Sequence, residues 1–302
     1  MRILLTGALG YLGSHVWPHL VAAGHEVVGI SRANGALRAG AIEIRQADLL
    51  EPGVPAQIIH AVRPDMILHL AWTVEHGKFW TDPTNLDWLA ASVRLARAAE
   101  ELGVRRFVGI GTCFEYDWPA RGDCHEQTTP LKAHTLYDTS KSALRAVLEA
   151  WTRQNEMSFA WGRVFHLYGG EEHPEKLVAD IARHVIGGQP AECSSGLAVR
   201  DFMDVRDAGA AIAALALSSI SGPVNIATGS AAAIAEIAKS IGDIAGRPDL
   251  IRIGARPDRP NDPPRIVADV SRLRDSVGFR PQYTLRQGLS DALVHWRDRM
   301  HP

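Results

Sequence analysis

The first thirteen residues, MRILLTGALGYLG, constrain the fold more than any other stretch of this chain. The apolar run Ile3-Leu4-Leu5 reads as a short buried strand at the very start. Gly7, Gly10 and Gly13 follow in the pattern G-x-x-G-x-x-G, and an apolar run from near Leu12 to Ala23 reads as a helix. Strand, glycine turn and helix in that order suit a dinucleotide. Gly7 permits the tight turn, Gly10 lets backbone approach a pyrophosphate, and Gly13 lets the helix pack close to the strand. The helix N-terminus then offers free N–H groups to the phosphates. Tyr11 and Leu12 lie inside this turn and join the expected cofactor-binding set.

A chain of 302 residues with 46% hydrophobic content can bury a sizeable core, as one large α/β domain or a nucleotide domain with a smaller lobe. A formal net charge of -2 gives no basic surface for nucleic acid. No apolar run approaches the roughly 18 residues that span a bilayer, and the start reads as strand and glycine turn, not as a signal peptide. Cys113, Cys124 and Cys193 are odd in number and widely spaced, which suggests neither a disulfide framework nor a metal site. Reduced thiols point to a cytoplasmic protein.

Further strands are expected at residues 26–30, 41–47, 65–71, 105–111 and 158–164, with helices at 85–102 and 136–154. The alternation predicts an α/β fold with a Rossmann-type, doubly wound parallel sheet. Ligands bind such sheets beyond the carboxyl ends of the strands. One crevice should therefore gather Thr6-Gly7, Ala71-Trp72, Gly111-Thr112 and Phe165-His166, and Leu70, Ala71 and Trp72 join the expected cofactor-binding set. The second strand ends at Ser31-Arg32, where an acidic residue would hold the ribose hydroxyls of NAD. A guanidinium there suits the 2′-phosphate of NADPH, or else is a solvated surface group. Asp48-Leu49 after the third strand can contact the adenine or form a turn. His69 is expected to be packed. The aromatic segment 72–83 reads either as a lid or as packing on the lobe.

After about Tyr168 the elements shorten. Helices are expected at 174–187, 207–217, 234–245, 271–276 and 285–299, and strands at 200–205 and 224–227, the last rejoining the main sheet. Residues 1–167 thus form the dinucleotide domain, with 201–230 returning to it, and 168–302 supply mainly a smaller C-terminal α/β substrate lobe.

Tyr137 and Lys141 stand four apart in Y-D-T-S-K, on one helical face. An ammonium beside a phenol lowers its pKa from about 10, so Tyr137 is expected to exchange a proton with a carbonyl or alcohol oxygen. Lys141 can also reach the cofactor ribose, and Thr112, at a strand end on the same crevice, can hold the reacting oxygen.

With these pieces in place the chain resembles the extended short-chain dehydrogenase/reductases, the nucleotide-sugar epimerases, dehydratases and reductases. The matching motifs are T-G-A-L-G-Y-L-G at Thr6, D-L at Asp48, H-L-A at His69, T-C-F-E-Y at Thr112, Y-D-T-S-K, R-V-F-H-L-Y-G at Arg163, R-D-F-M-D-V at Arg200, N-I-A-T-G at Asn225 and R-P-N-D at Arg259. The resemblance implies that Thr112, Tyr137 and Lys141 are catalytic. It implies that Arg200 and Arg259 grip a nucleotide-sugar diphosphate, which suits paired guanidinium forks. His166 stands where many members carry asparagine and is expected to touch the substrate. The resemblance also implies a homodimer built on helices 85–102 and 136–154.

Within the family, 4,6-dehydratases usually carry Asp-Glu after the threonine; here Cys113 and Phe114 stand there, and Phe114 moves no protons. Cys113 is either an acid beside the keto carbon or a packed residue behind Thr112, and Glu115 is expected to point away from the crevice and to play no role. With Ser31-Arg32 favouring exchangeable NADPH, the expectation is reduction of the C4 keto group of a nucleotide-linked 4-keto-6-deoxy sugar. The alternative is a nucleotide-sugar epimerase with tightly bound NAD. A non-catalytic NADPH sensor and a reductase of a non-sugar carbonyl complete the readings.

Overall fold

The computed structural model describes residues 1–32, 42–119 and 122–300. Seven parallel strands form the central sheet. They are β1 (Arg2–Thr6), β2 (Glu26–Ser31), β3 (Glu43–Gln46), β4 (Met66–His69), β5 (Arg106–Thr112), β6 (Ser158–Val164) and, after three strands of the lobe, β10 (Gly222–Ile226). Their spatial order is β10-β6-β5-β4-β1-β2-β3. The reversal between β1 and β4 opens a crevice beyond the strands' carboxyl ends. The third strand starts later than the expected 41; Ala41 lies outside the described residues.

Helices cover both faces, as an all-parallel sheet requires. On one side lie α1 (Gly13–Ala22) and α6 (Val205–Leu217); on the other lie α2 (Val54–Val62), α3 (Thr84–Glu101) and α4 (Leu136–Thr152). Successive side chains of a strand face opposite ways. Ile3 and Leu5 accordingly pack with Val16 and Leu20 of α1 and Ile212 and Leu215 of α6. Leu4 packs with Ile59 of α2 and Leu95 of α3.

The lobe carries α5 (Leu177–Ile186), α7 (Ile234–Ile244) and α8 (Leu285–Met300) around its own core. Short strands complete it: β7 (His166–Tyr168), β8 (Ala191–Glu192), β9 (Val199–Asp204), β11 (Ala231–Ala233), β12 (Ile251–Arg252) and β13 (Arg265–Ile266). β7 and β13 pair parallel to β9, and β11 antiparallel to it. Where a helix was expected at 271–276, a π-helical turn runs from Arg272 to Val277 and ends on Gly278 in the left-handed region. Helix α2 and the two-residue strands are too short to show a period in the sequence.

Candidate active site

The carboxyl ends of β1, β4, β5 and β6 open on a cleft of ≈ 690 Å³ roofed by lobe residues from 172–181 and 256–262. Its floor is the glycine turn. Gly7 has a φ of +72°, and a Cβ there would come within 2.9 Å of Ala71 N. A Cβ on Gly13 would fall 2.1 Å from Gly7 O. Thr6 Oγ1 accepts from Ala71 N at 3.1 Å and pairs with His69 Nδ1 at 2.8 Å, tying the ends of β1 and β4 together. Gly10, Tyr11, Leu12, Gly13, Leu70, Ala71 and Trp72 all line the cleft. A backbone cradle at a helix N-terminus fits a pyrophosphate. Tyr11 Oη and His166 Nδ1 are buried here without a hydrogen-bond partner among the described residues, so both are available to a ligand.

Ser31 and Arg32 lie at the end of β2 beside this turn, since Gly7 N donates to Ile30 O at 3.0 Å. Arg32 is exposed. Asp48 and Leu49 do not line the cleft: Asp48 Oδ1 accepts from Leu50 N at 3.0 Å, a local turn, and Leu49 is buried in the core under β2. Their short sequence spacing from the strand reflects that turn. His69 is packed as expected, with Nε2 on Ser92 Oγ at 2.8 Å.

Helix α4 begins at a capping box in which Asp138 accepts from Thr135 N at 3.0 Å and from the Thr135 hydroxyl. This cap aims the first turn at the cleft, where Tyr137 and Lys141 meet Thr112. The electrostatics differ from expectation. Burial, then the Glu115 carboxylate, Cys113 and Asp138, push the Tyr137 phenol up rather than down. The cause is an aromatic cover: Phe79 stands 4.8 Å and Trp80 5.9 Å from the Tyr137 ring, and Tyr137 N donates to Trp80 O at 3.1 Å. Lys141 is turned to β5, donating to Ile110 O at 2.8 Å with its ammonium 3.8 Å from the Trp72 ring centroid. Burial lowers Lys141 to about 7, with Glu115 opposing. Residues 72–83 thus act as a cover over the cleft.

Phe114, His166, Phe202, Arg200 and Arg259 also line the cleft. Arg200 is buried and paired with Asp262 at 2.7 Å. His166 is held at about 3, hence neutral, by burial and then by Arg200 and Lys176. Cys113 is packed with Tyr116, Cys124 and Phe165, and burial pushes its thiol up, so it is a core residue and not an acid. Sequence reading missed Lys176 and Glu172. Both are largely buried in the cleft wall, and burial raises Glu172 to about 7. The i, i+4 spacing of an acid and a base after Y-G was the available signal.

The model of the NAD dependent epimerase/dehydratase family matches residues 3–227. A UDP-glucose 4-epimerase of Rhizobium meliloti (strain 1021) is 26% identical over 329 residues, covering 99% of this chain and 97% of that protein. The UDP-glucose 4-epimerase of Thermus thermophilus, solved in complex with NAD, is 26% identical with a TM-score of 0.86, covering 98% of this chain and 99% of that one. The Thermotoga maritima UDP-glucose 4-epimerase, solved with UDP-glucose, has a TM-score of 0.89 at 20% identity over 99% of this chain and 100% of that one, a likeness of fold.

Proposed function

Because the chain belongs to the NAD dependent epimerase/dehydratase family, we propose that it is a nucleotide-sugar 4-epimerase that holds NAD in the glycine cradle. The observation that carries this reading is the meeting of Thr112, Tyr137 and Lys141 with that cradle in one cleft. The turn after β5 offers no acid on the cleft side: Phe114 lines it, and Glu115 is fully buried beneath it. Removal of water across C5 and C6 therefore lacks its proton carrier, while oxidation and reduction at C4 need none beyond Tyr137. The Rhizobium meliloti and Thermus thermophilus proteins, each 26% identical, are UDP-glucose 4-epimerases, which supports this order and reverses the preference drawn from Ser31-Arg32.

NAD, when bound, supplies the acceptor and donor of hydride at the sugar carbon. Gly7, Gly10, Tyr11 and Gly13 would hold its pyrophosphate. As its phenolate, Tyr137 takes the proton of the C4 hydroxyl and gives it back after the ring has turned, and Thr112 hydrogen-bonds the same oxygen. A phenol raised by burial needs a cation, and turning Lys141 Nζ from Ile110 O toward Tyr137 provides one. Arg200 and Arg259 bind the diphosphate, Arg200 exchanging Asp262 for it. His166, neutral with a free Nδ1, hydrogen-bonds the sugar or diphosphate. Trp80, Phe79 and Phe114 keep water out.

One observation favours NADPH-dependent C4 reduction as the second reading: Arg32 is exposed beside the turn, where an acid would favour NAD. Denaturing the purified protein and identifying the released nucleotide separates the two. Retained NAD with interconversion of UDP-glucose and UDP-galactose is the expected result. An empty protein that takes up NADPH and performs no interconversion overturns it. Tyr137→Phe is expected to lower kcat by about 10²–10⁴-fold with nucleotide retention intact. The reading includes a homodimer through α3 and α4, whose Leu86 and Val147 are exposed, checked by light scattering.

A further inference from the structure

Glu115 is fully buried where three elements meet under the cleft. Its Oε1 accepts from Thr112 N and from Trp161 Nε1, each at 2.9 Å. Its Oε2 accepts from Arg163 Nε at 2.9 Å and lies 3.9 Å from Arg145 Nε. Thr112 ends β5, Trp161 and Arg163 lie on β6, and Arg145 lies on α4, one turn beyond Lys141 and two beyond Tyr137. The seat is cut to this carboxylate: a Cβ on Gly111 would come within 2.0 Å of Glu115 Oε1. Thr112 is fixed from both ends, since its Oγ1 also receives Phe114 N at 3.3 Å. From the other side, Lys141 grips Ile110 O, two residues earlier on the same strand.

We propose that Glu115 is a positioning residue of the catalytic centre, one that fixes Thr112 at the reacting oxygen and sets a carboxylate against the strand end that Lys141 grips. This rests on the reading of Thr112, Tyr137 and Lys141 given above. Its reach to Lys141 is electrostatic: Glu115 is the carboxylate that opposes the lowering of Lys141 by burial. The other titratable groups facing Lys141 are His69 of β4, which is neutral at about 3, and the protonated Tyr137 of its own helix. Arg163 and Arg145 face the other oxygen of Glu115, Oε2, and neutralise it in part. The bond from Thr112 N to Glu115 closes a capping box on the turn Cys113–Glu115, so the same carboxylate that ends the strand also fixes where Thr112 stands.

The test compares Glu115→Gln, Glu115→Gln/Arg163→Met and Tyr137→Phe in the full chain. The double variant leaves no unpaired buried charge and so guards against loss of the fold. Two readouts are taken: kcat and KM on UDP-glucose, and the pH midpoint of the Lys141 resonance in protein carrying ¹³C-labelled lysine, assigned through Lys141→Met. The expected result is a kcat lower by roughly 10–100-fold in both Glu115 variants at nearly unchanged KM. The Lys141 midpoint should fall in Glu115→Gln, because removing the anion favours the neutral amine. Folded variants with wild-type kcat and an unmoved midpoint overturn the proposal. Full turnover by Tyr137→Phe overturns the catalytic reading instead. The Lys141 midpoint reports on Glu115 even where UDP-glucose is not turned over, and an unmoved midpoint in folded Glu115→Gln then overturns the proposal.

Discussion

At the scale of single residues, the clearest consequences follow from side chains buried in one protonation state. His69, between Thr6 and Ser92, is held at about 3 by burial and then by Lys141. Its ordinary value is 6.5, so between these values the unfolded chain binds a proton that the fold refuses. Stability therefore falls as pH drops below 6.5, at about 1.4 kcal/mol for each pH unit that one such group contributes. His69→Gln is expected to flatten the pH dependence of urea unfolding between pH 6 and 4 by about one proton; an unchanged slope would mean that His69 is charged in the fold. Gly13→Ala tests the cradle. Its methyl would lie 2.1 Å from Gly7 O, which is backbone and cannot give way. Loss of nucleotide binding together with a lowered Tm is expected. The convergence of Gly7, Gly13, Thr112, Tyr137 and Lys141 on one cleft was legible in the sequence, because residue identity and spacing carry it. The charge states were not, since burial of Tyr137 depends on Phe79 and Trp80, far away along the chain.

At the scale of elements, the sheet and its helices were readable because long amphipathic periods and apolar runs survive without tertiary information. The two- and three-residue strands of the lobe were not, because their pairing comes from partners distant in sequence, and α2 was not, because nine residues give too short a period. The end of β5 is the element on which most depends. Its carboxyl end carries Thr112 between Glu115 and Lys141. Near its start, Arg106 fastens it to the end of α6: Nε donates to Ala216 O at 2.8 Å, and Nη2 to Leu215 O at 2.9 Å and Ile220 O at 3.0 Å. A cation on the last carbonyls of a helix satisfies groups with no partner inside it. Arg106→Met is expected to cost roughly 2–3 kcal/mol, read as a lower urea midpoint at constant m. The change lies at the end of β5 opposite the cleft, so kcat should hold.

At the scale of the whole molecule, the cleft belongs to no single half. The cover at 72–83, the turn at 172–176 and the loop at 256–262 arrive from separate parts of the chain and face one cavity. Hydrogen exchange should therefore slow in all three together when UDP is added, and slowing in one alone would mean that the nucleotide sits elsewhere. The boundary near residue 167 that the change of texture suggests is crossed by the chain again, because α6 covers the sheet and β10 pairs with β6 along Gly222–Ile226. Ala208, Ile212, Leu215, Val224 and Ile226 are all buried in the core beneath α1. A chain growing from its N-terminus thus cannot finish its sheet until 226 of its 302 residues have been made. Until then the edge of β6 and the apolar face under α6 remain open to other chains. A 1–167 fragment should precipitate where the full chain does not, and the nascent protein should depend on chaperones late in synthesis rather than early.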